Sequence, residues 1–254
     1  MDAKITARVA ELRSHGLPPK AIARQLGLRP AEVSTLIREQ AAQVESTADP
    51  AVLPPLKACY LSPGWSTGLG LADEALALAL GAQDPGSTGS DGLVCALWAR
   101  AHRYGKLTVY GCLVDTYCLG VKNAVGPKAM ADEEFRDFTS RYFRSYDAPP
   151  VQVPLELLQS LVLGAVEYAA SMGLSPHPDF AAVRPSLGAW GGPSPIRFGR
   201  EGRPVYVQGP DDDAYRIVQT LRRHLGDGGF EYVMVAGEDG AGQLRAPRSR
   251  LLGA

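Results

Sequence analysis

The chain lacks an excess of either charge, and it lacks long apolar runs. Its 254 residues carry 26 Lys and Arg against 27 Asp and Glu, which gives a formal net charge of −1. Binding of nucleic acid through a generally basic surface is therefore excluded, and any basic surface must be local. No stretch approaches the roughly 20 consecutive apolar residues that a membrane-spanning helix needs. Residues 1–16 lack the apolar core of a secretion signal, so a cytoplasmic location is expected.

Cysteine is also scarce, with four residues in the whole chain. None stands in a CxxC pair or at a Cys–His ligand spacing, which excludes the common structural zinc patterns. Neither of the standard glycine-rich nucleotide loops, GxGxxG and GxxxxGK[ST], is present. Hydrophobic residues make up 45% of the chain and charged residues 21%, values that are typical of a globular protein with a real core. The sequence therefore predicts a folded protein and indicates no particular cofactor.

The apolar residues of segment 1–42 follow the spacing of three short helices. Pro18 and Pro19 suit the first turn of the second helix, where a missing N–H has no cost. That helix ends at Gly27, and a third helix begins near Pro30. Two short helices joined by a glycine-containing turn, with a helix before them, are typical of a helix-turn-helix unit.

Three positions in this segment match the constraints of that motif. Counted from Pro19, Ala23 is the fifth residue, Gly27 the ninth and Val33 the fifteenth. The motif needs close helix approach, a left-handed turn and a core contact at these places. Residues 1–42 thus resemble the helix-turn-helix modules of bacterial DNA-binding regulators, which implies binding of duplex DNA through the third helix.

The resemblance implies that the N-terminal part of the third helix meets base edges in the major groove. The polar candidates for base contacts there are Arg29, Glu32, Ser34, Thr35 and Arg38. Lys20 and Arg24, on the preceding helix, suit phosphate contacts. Residues 1–45 carry seven Lys and Arg against five Asp and Glu, which is a weak positive charge for one module. A homodimer is therefore expected, because it doubles the phosphate contacts. The alternative to DNA binding is that this module binds a protein partner.

The remaining sequence divides into a linker at 43–56, a large domain at 57–240 and a loose basic tail at 241–254. The pattern within the large domain favours an α+β fold, so that the whole chain is a small all-α domain joined by a linker to a larger α+β domain. The predicted elements are a short helix at 72–81, a loop at 81–92, two antiparallel strands within 93–120, a helix within 131–146, a core helix at 153–173 and a strand–helix–strand unit at 203–236.

One segment of the large domain embeds reactive side chains in an apolar run. Within residues 113–122 stand Asp115, Cys118 and Lys122. A carboxylate in such surroundings must be paired, ligated or protonated, because burial of an isolated charge is costly. Asp115 and Cys118 are therefore candidate catalytic residues.

A second segment adds an acid, a histidine and another acid. Glu167 projects from the predicted core helix, and His177 stands between two prolines with Asp179 two residues later. A rigidly held imidazole beside a carboxylate is what a general base or a metal ligand needs. Glu167, His177 and Asp179 are therefore added to the candidate catalytic residues.

Three interpretations of the two segments are open. Cys118 can be a nucleophile with His177 as base and Asp179 as orienting acid. The three carboxylates and His177 can instead hold a divalent metal in a nuclease or phosphohydrolase. In the structural alternative, Asp115 pairs with Lys122 or an arginine, Cys118 is a core residue, and the histidine segment is a tight turn.

The run LVDTYCLGVK, followed by GAVEYA and PHPDF, resembles a module of uncharacterised bacterial proteins over about residues 58–236. This resemblance implies the extent of the domain and no activity. The sequence therefore predicts a DNA-binding protein, a transcriptional regulator, whose larger domain dimerises, senses a small-molecule ligand or recruits a partner. The alternative is an enzyme, with the chemistries named above, that the helix-turn-helix targets to nucleic acid.

Overall fold

The structure, a computed structural model, describes residues 3–14, 17–37, 53–71, 92–102 and 105–234. The predicted helix at 72–81, most of the loop at 81–92, most of the linker, the basic tail and Arg38 lie outside the described residues. The chain forms two compact units, one of Met1–Pro54 with His102–Lys106 and one of Pro55–Ala101 with Leu107–Ala254. Within the described ranges, no helix is long and apolar enough to cross a membrane.

The described residues of the smaller unit form three short helices around an apolar cluster. They are α1 (Ala3–Ser14), α2 (Pro19–Leu26) and α3 (residues 30–37). The buried members of the cluster come from all three helices and are Val9, Leu12, Ile22, Ala23, Val33 and Leu36. Because isolated helices this short are marginal in water, their stability must come from this shared core.

The larger unit is built on a five-stranded antiparallel sheet in the order β5-β4-β3-β1-β6. Its strands are β1 (Leu56–Leu61), β3 (Leu93–Ala101), β4 (Leu107–Asp115), β5 (Gly120–Met130) and β6 (Val151–Gln152). Two short pairs of strands are also present among the described residues, namely β2 (Gly70–Leu71) with β7 (Ile196–Arg197), and β8 (Val205–Val207) with β9 (Glu231–Val233). The helices are α4 (Asp132–Tyr142), α5 (Leu155–Ser171), α6 (Phe180–Val183) and α7 (Ala214–Leu225). The mixed α+β class is therefore confirmed.

Both faces of the sheet are covered by apolar side chains. Leu97 and Trp98 are neighbours on β3, point to opposite faces and are both fully buried. Trp98 lies in a cluster with α5, whereas Leu97 lies in a cluster with Phe135 of α4 and with Phe143. Burial on both faces explains why β3 is a nearly continuous hydrophobic run rather than an alternating one.

The predicted core helix and the strand–helix–strand unit are confirmed, whereas three strands of the main sheet, β1, β5 and β6, were not predicted. Strand β1 follows the linker directly. Strand β5 contains Asn123, Gly126 and Pro127, which are residue types that usually interrupt strands. These residues are tolerated because β5 is an edge strand of the sheet. At an edge, a proline without an N–H and charged side chains hinder pairing with a strand of another chain.

Candidate nucleic-acid interface and buried polar cluster

The turn between α2 and α3 depends on a glycine in the left-handed conformation. Gly27 has φ 66°, and the N–H of Leu28 donates to the carbonyl of Ala23 at 2.9 Å. A Cβ at Gly27 would meet no atom within 4 Å, so the backbone conformation alone requires glycine here. Ala23 and Val33 are both buried, as the spacing predicts.

Basic side chains surround this turn on the outside. Lys20 and Arg24 are exposed four residues apart on α2, and Arg29 is exposed immediately before α3. None of the three forms a salt bridge with another residue that the structure describes. Thr35 is also exposed on α3. Four of the residues predicted for DNA contact are thus accessible.

Two other predicted contact residues, Glu32 and Ser34, form hydrogen bonds at the N-terminal end of α3. The Glu32 carboxylate accepts a hydrogen bond from the backbone N–H of Arg29 at 2.9 Å. The Ser34 hydroxyl is half-buried and donates to the carbonyl of Pro30 at 2.9 Å. Glu32 therefore caps the helix, a role that its position three residues after Arg29 could have indicated.

Asp115 caps the turn that joins β4 to β5 in the larger unit. Its carboxylate accepts hydrogen bonds from the backbone N–H groups of Tyr117 and Cys118, both at 2.9 Å. Burial raises the pKa of this carboxyl to about 6, although the N–H donors and the positive charge of Lys122 oppose the rise. A structural role therefore explains the buried acid, because its carboxylate accepts hydrogen bonds from backbone N–H groups of the turn that have no partner in a neighbouring strand.

Lys122 forms its ion pair with Asp212 rather than with Asp115. The Lys122 ammonium lies 2.9 Å from the Asp212 carboxylate, and both side chains are largely buried. The same carboxylate oxygen accepts from the N–H of Gly209 at 2.8 Å and from the Tyr206 hydroxyl at 3.3 Å. The run of three aspartates at 211–213 does not indicate which of them caps α7. In the structure Asp213 does so, and its carboxylate accepts a hydrogen bond from the backbone N–H of Arg216.

Cys118 is a core residue of the same region. Its side chain is fully buried in a cluster with Met172 and Tyr206. Burial raises the pKa of the thiol far above its usual range, and the nearby charge of Asp115 raises it further. A nucleophilic cysteine needs the opposite, namely a lowered pKa and access to substrate. The structural alternative therefore accounts for Cys118 better than the nucleophile hypothesis does.

Glu167 and the histidine segment each form a hydrogen bond that links two parts of the larger unit. The Glu167 carboxylate accepts from the indole N–H of Trp190 and so ties the loop that follows α6 to α5. The backbone N–H of His177 donates to the carbonyl of Val121, on the edge strand β5, at 2.8 Å. The His177 ring lies 3.7 Å from the Asp179 carboxylate, and both side chains are partly or largely exposed.

The candidate catalytic residues do not assemble into one recognisable centre. Between described residues, no hydrogen bond or ion pair joins Cys118 to His177. No group of three or more His, Cys, Asp and Glu side chains among the described residues is placed to hold a metal ion. Asp115 instead belongs to a largely buried polar cluster, in which the charge of Lys122 acts on Asp115 and the Asp212 carboxylate bonds to both Lys122 and Tyr206.

In comparisons with protein-family models, with curated proteins and with solved structures, nothing matches this chain.

Proposed function

We propose that the smaller unit is a helix-turn-helix module that binds duplex DNA. The observation that carries the proposal is the turn at Gly27, which is left-handed and lies between the buried residues Ala23 and Val33. The motif constrains these three positions, and the left-handed Gly27 and the burial of Ala23 and Val33 support its assignment to this unit. In this proposal α3 enters the major groove, and α2 lies against the phosphate backbone.

The distribution of charge supports the same surface. Lys20, Arg24 and Arg29 are exposed around the turn and unpaired with any described residue. Arg8, on α1, is by contrast paired with Glu11 within one helix. A chain with a net charge of −1 can attract DNA only through such a local group of cations.

For the larger unit we propose a regulatory role, in which it joins two copies of the chain or responds to a small molecule. An enzymatic role is less well supported, because Cys118 is sealed in the core and Glu167 is bonded to Trp190. The polar cluster of Asp115, Lys122 and Asp212 is accounted for by the turn and the loop that it connects.

The test uses the full chain and two labelled duplexes, one obtained by selection from a random library and one of random sequence. Arg29→Ala is expected to weaken binding to the selected duplex by roughly 1–3 kcal/mol, because a side chain that reads a base is lost. Arg8→Ala removes the same charge from the same unit and is expected to change neither affinity by more than about twofold.

Fluorescence anisotropy over a series of salt concentrations provides the measurement. Lys20→Ala and Arg24→Ala should weaken binding to both duplexes equally and each reduce the salt dependence, because phosphate contacts carry no sequence information. Equal weakening of both duplexes by Arg29→Ala would assign Arg29 to phosphate as well. Absence of binding to any duplex at low salt would refute the proposed function.

A further inference from the structure

Arg29 occupies a position that its side chain does not suit. It is the residue immediately before α3, where Ser, Thr, Asp and Asn are favoured because their side chains accept a bond from the first helical N–H groups. An arginine has only donors and cannot make that bond. A long cation at this position therefore lowers the stability of the helix, and its presence there needs another explanation.

Glu32 supplies the bond that orders this residue. Its carboxylate accepts the N–H of Arg29 at 2.9 Å, which is one half of a capping box. No salt bridge joins the Glu32 carboxylate to the Arg29 guanidinium, although both residues are described and lie on the same turn. The acid thus holds the backbone of Arg29 and leaves its guanidinium available for another partner.

We propose that Glu32 is a positioning residue that fixes Arg29 at the entrance of α3, and that Arg29 reads a guanine edge in the major groove. The inference rests on the proposed DNA binding. Guanine is the expected base because a guanidinium donates two parallel hydrogen bonds to its O6 and N7 acceptors. Glu32 itself then makes no base contact, in contrast to its interpretation from the sequence.

The experiment compares Glu32→Ala with Glu32→Gln in the full chain, on the selected and the random duplex. Both variants remove the negative charge, but the glutamine keeps an oxygen that can accept the Arg29 N–H. Glu32→Ala is expected to lower the ratio of selected to random affinity about fivefold or more, whereas Glu32→Gln retains most of that ratio. A matching change in both variants would indicate a charge effect alone and would overturn the inference.

Two further measurements separate the remaining outcomes. Selection from a random library with Arg29→Ala should lose a guanine preference at one position, whereas a base preference that changes in Glu32→Gln would make Glu32 the reader. Amide hydrogen exchange at Arg29 should be faster in Glu32→Ala than in the wild type and in Glu32→Gln. Equal exchange rates at Arg29 in the wild type and in both variants would contradict the hydrogen bond from Arg29 to Glu32.

The proposed function and this inference fail in different ways. If the wild-type chain binds no duplex at low salt, the proposed function is refuted and the inference falls with it. If the wild type discriminates between the duplexes and Glu32→Ala discriminates equally well, only the inference is refuted. If Glu32→Ala unfolds the smaller unit, the base preferences of Arg29→Ala and Glu32→Gln still show whether Arg29 or Glu32 contacts the base.

Discussion

The carboxyl of Asp115 shows how one buried group couples the fold to pH. It accepts two backbone N–H groups at the end of β4, and burial raises its pKa from 3.8 to about 6. The folded protein therefore binds a proton more tightly at this site than the unfolded chain does. The contribution of this group to stability is fully present below about pH 4 and is lost as the pH rises through about 6.

Asp115→Asn should remove this dependence, because the amide oxygen still accepts the two N–H groups and no charge is buried. Relative to the wild type, the variant is expected to become more stable between pH 4 and pH 7 by about 3 kcal/mol, since one pKa unit corresponds to about 1.4 kcal/mol. Urea unfolding of both proteins across this range provides the measurement. A stability difference that does not change with pH would contradict the proposed origin of the raised pKa.

Part of this residue-scale chemistry could be predicted from the sequence. An acid inside the run LVDTYCLGVK has to be compensated, and that much follows from its neighbours. The compensating groups could not be predicted, because backbone N–H donors carry no signature and Asp212 lies far along the chain from Lys122. The exposure of Arg29 and the left-handed Gly27 were predictable because they depend on local spacing.

At the scale of elements, the Lys122–Asp212 pair connects the start of β5 with the loop between β8 and α7. Its members are 15% and 12% exposed, so neither charge is well hydrated. Removing one partner of such a pair leaves the other buried without compensation. The Arg203–Glu231 pair offers a contrast, since its two side chains are 59% and 60% exposed and lie 3.7 Å apart.

Lys122→Met is therefore expected to destabilise the protein by roughly 2–4 kcal/mol, because the Asp212 carboxylate loses its cation. The double variant Lys122→Met with Asp212→Leu should cost clearly less than the sum of the two single changes. Arg203→Met, the matched control, should cost less than about 1 kcal/mol because its pair is exposed. Urea unfolding of all four variants is the measurement, and additive effects at Lys122 and Asp212 would contradict the coupling.

The histidine segment contributes to the fold mainly through its backbone, and its ring makes one local hydrogen bond, in which Nδ1 accepts from the N–H of Asp179 at 3.3 Å. The N–H of His177 donates to Val121 at the open edge of the sheet, whereas the imidazole is partly exposed. His177→Ala is therefore expected to change the free energy of unfolding by less than about 1 kcal/mol and to leave DNA affinity unchanged. A larger loss of stability would show that the ring itself is structural, and a loss of DNA binding or of a ligand response would restore it as a functional group.

The elements that could be predicted are those with a strong local pattern. Helix α5 is mostly apolar, and α4 carries acids in its first turn with apolar residues at helical spacing. Strand β5 could not be predicted because Gly126, Pro127 and Lys128 suit only an edge position, and that position is set by the pairing with β4. The order of the strands, with β3 central, likewise depends on long-range contacts.

At the scale of the whole molecule, each unit has apolar clusters of its own. Among the described residues, one cluster lies among α1, α2 and α3, and three others lie in the larger unit. The proposed DNA-binding surface and the polar cluster around Asp115 therefore belong to separate cores. Variants of Lys122 are expected to act on stability, whereas variants of Arg29 are expected to act on affinity.

We expect the protein to be a homodimer. A single helix-turn-helix reads few base pairs, and two-fold symmetric dimers that bind two half-sites about one helical turn apart are the usual way to extend the site. The weak local charge of residues 1–45 adds to this need, because two copies double the number of phosphate contacts. Light scattering coupled to size-exclusion chromatography should give twice the chain mass of 27.0 kDa at micromolar concentration. Arg29→Ala should remain dimeric while it loses affinity for the selected duplex, and a selected duplex should carry two copies of one motif in inverted orientation. A monomer both with and without DNA, or a selected site with a single motif, would contradict the dimer.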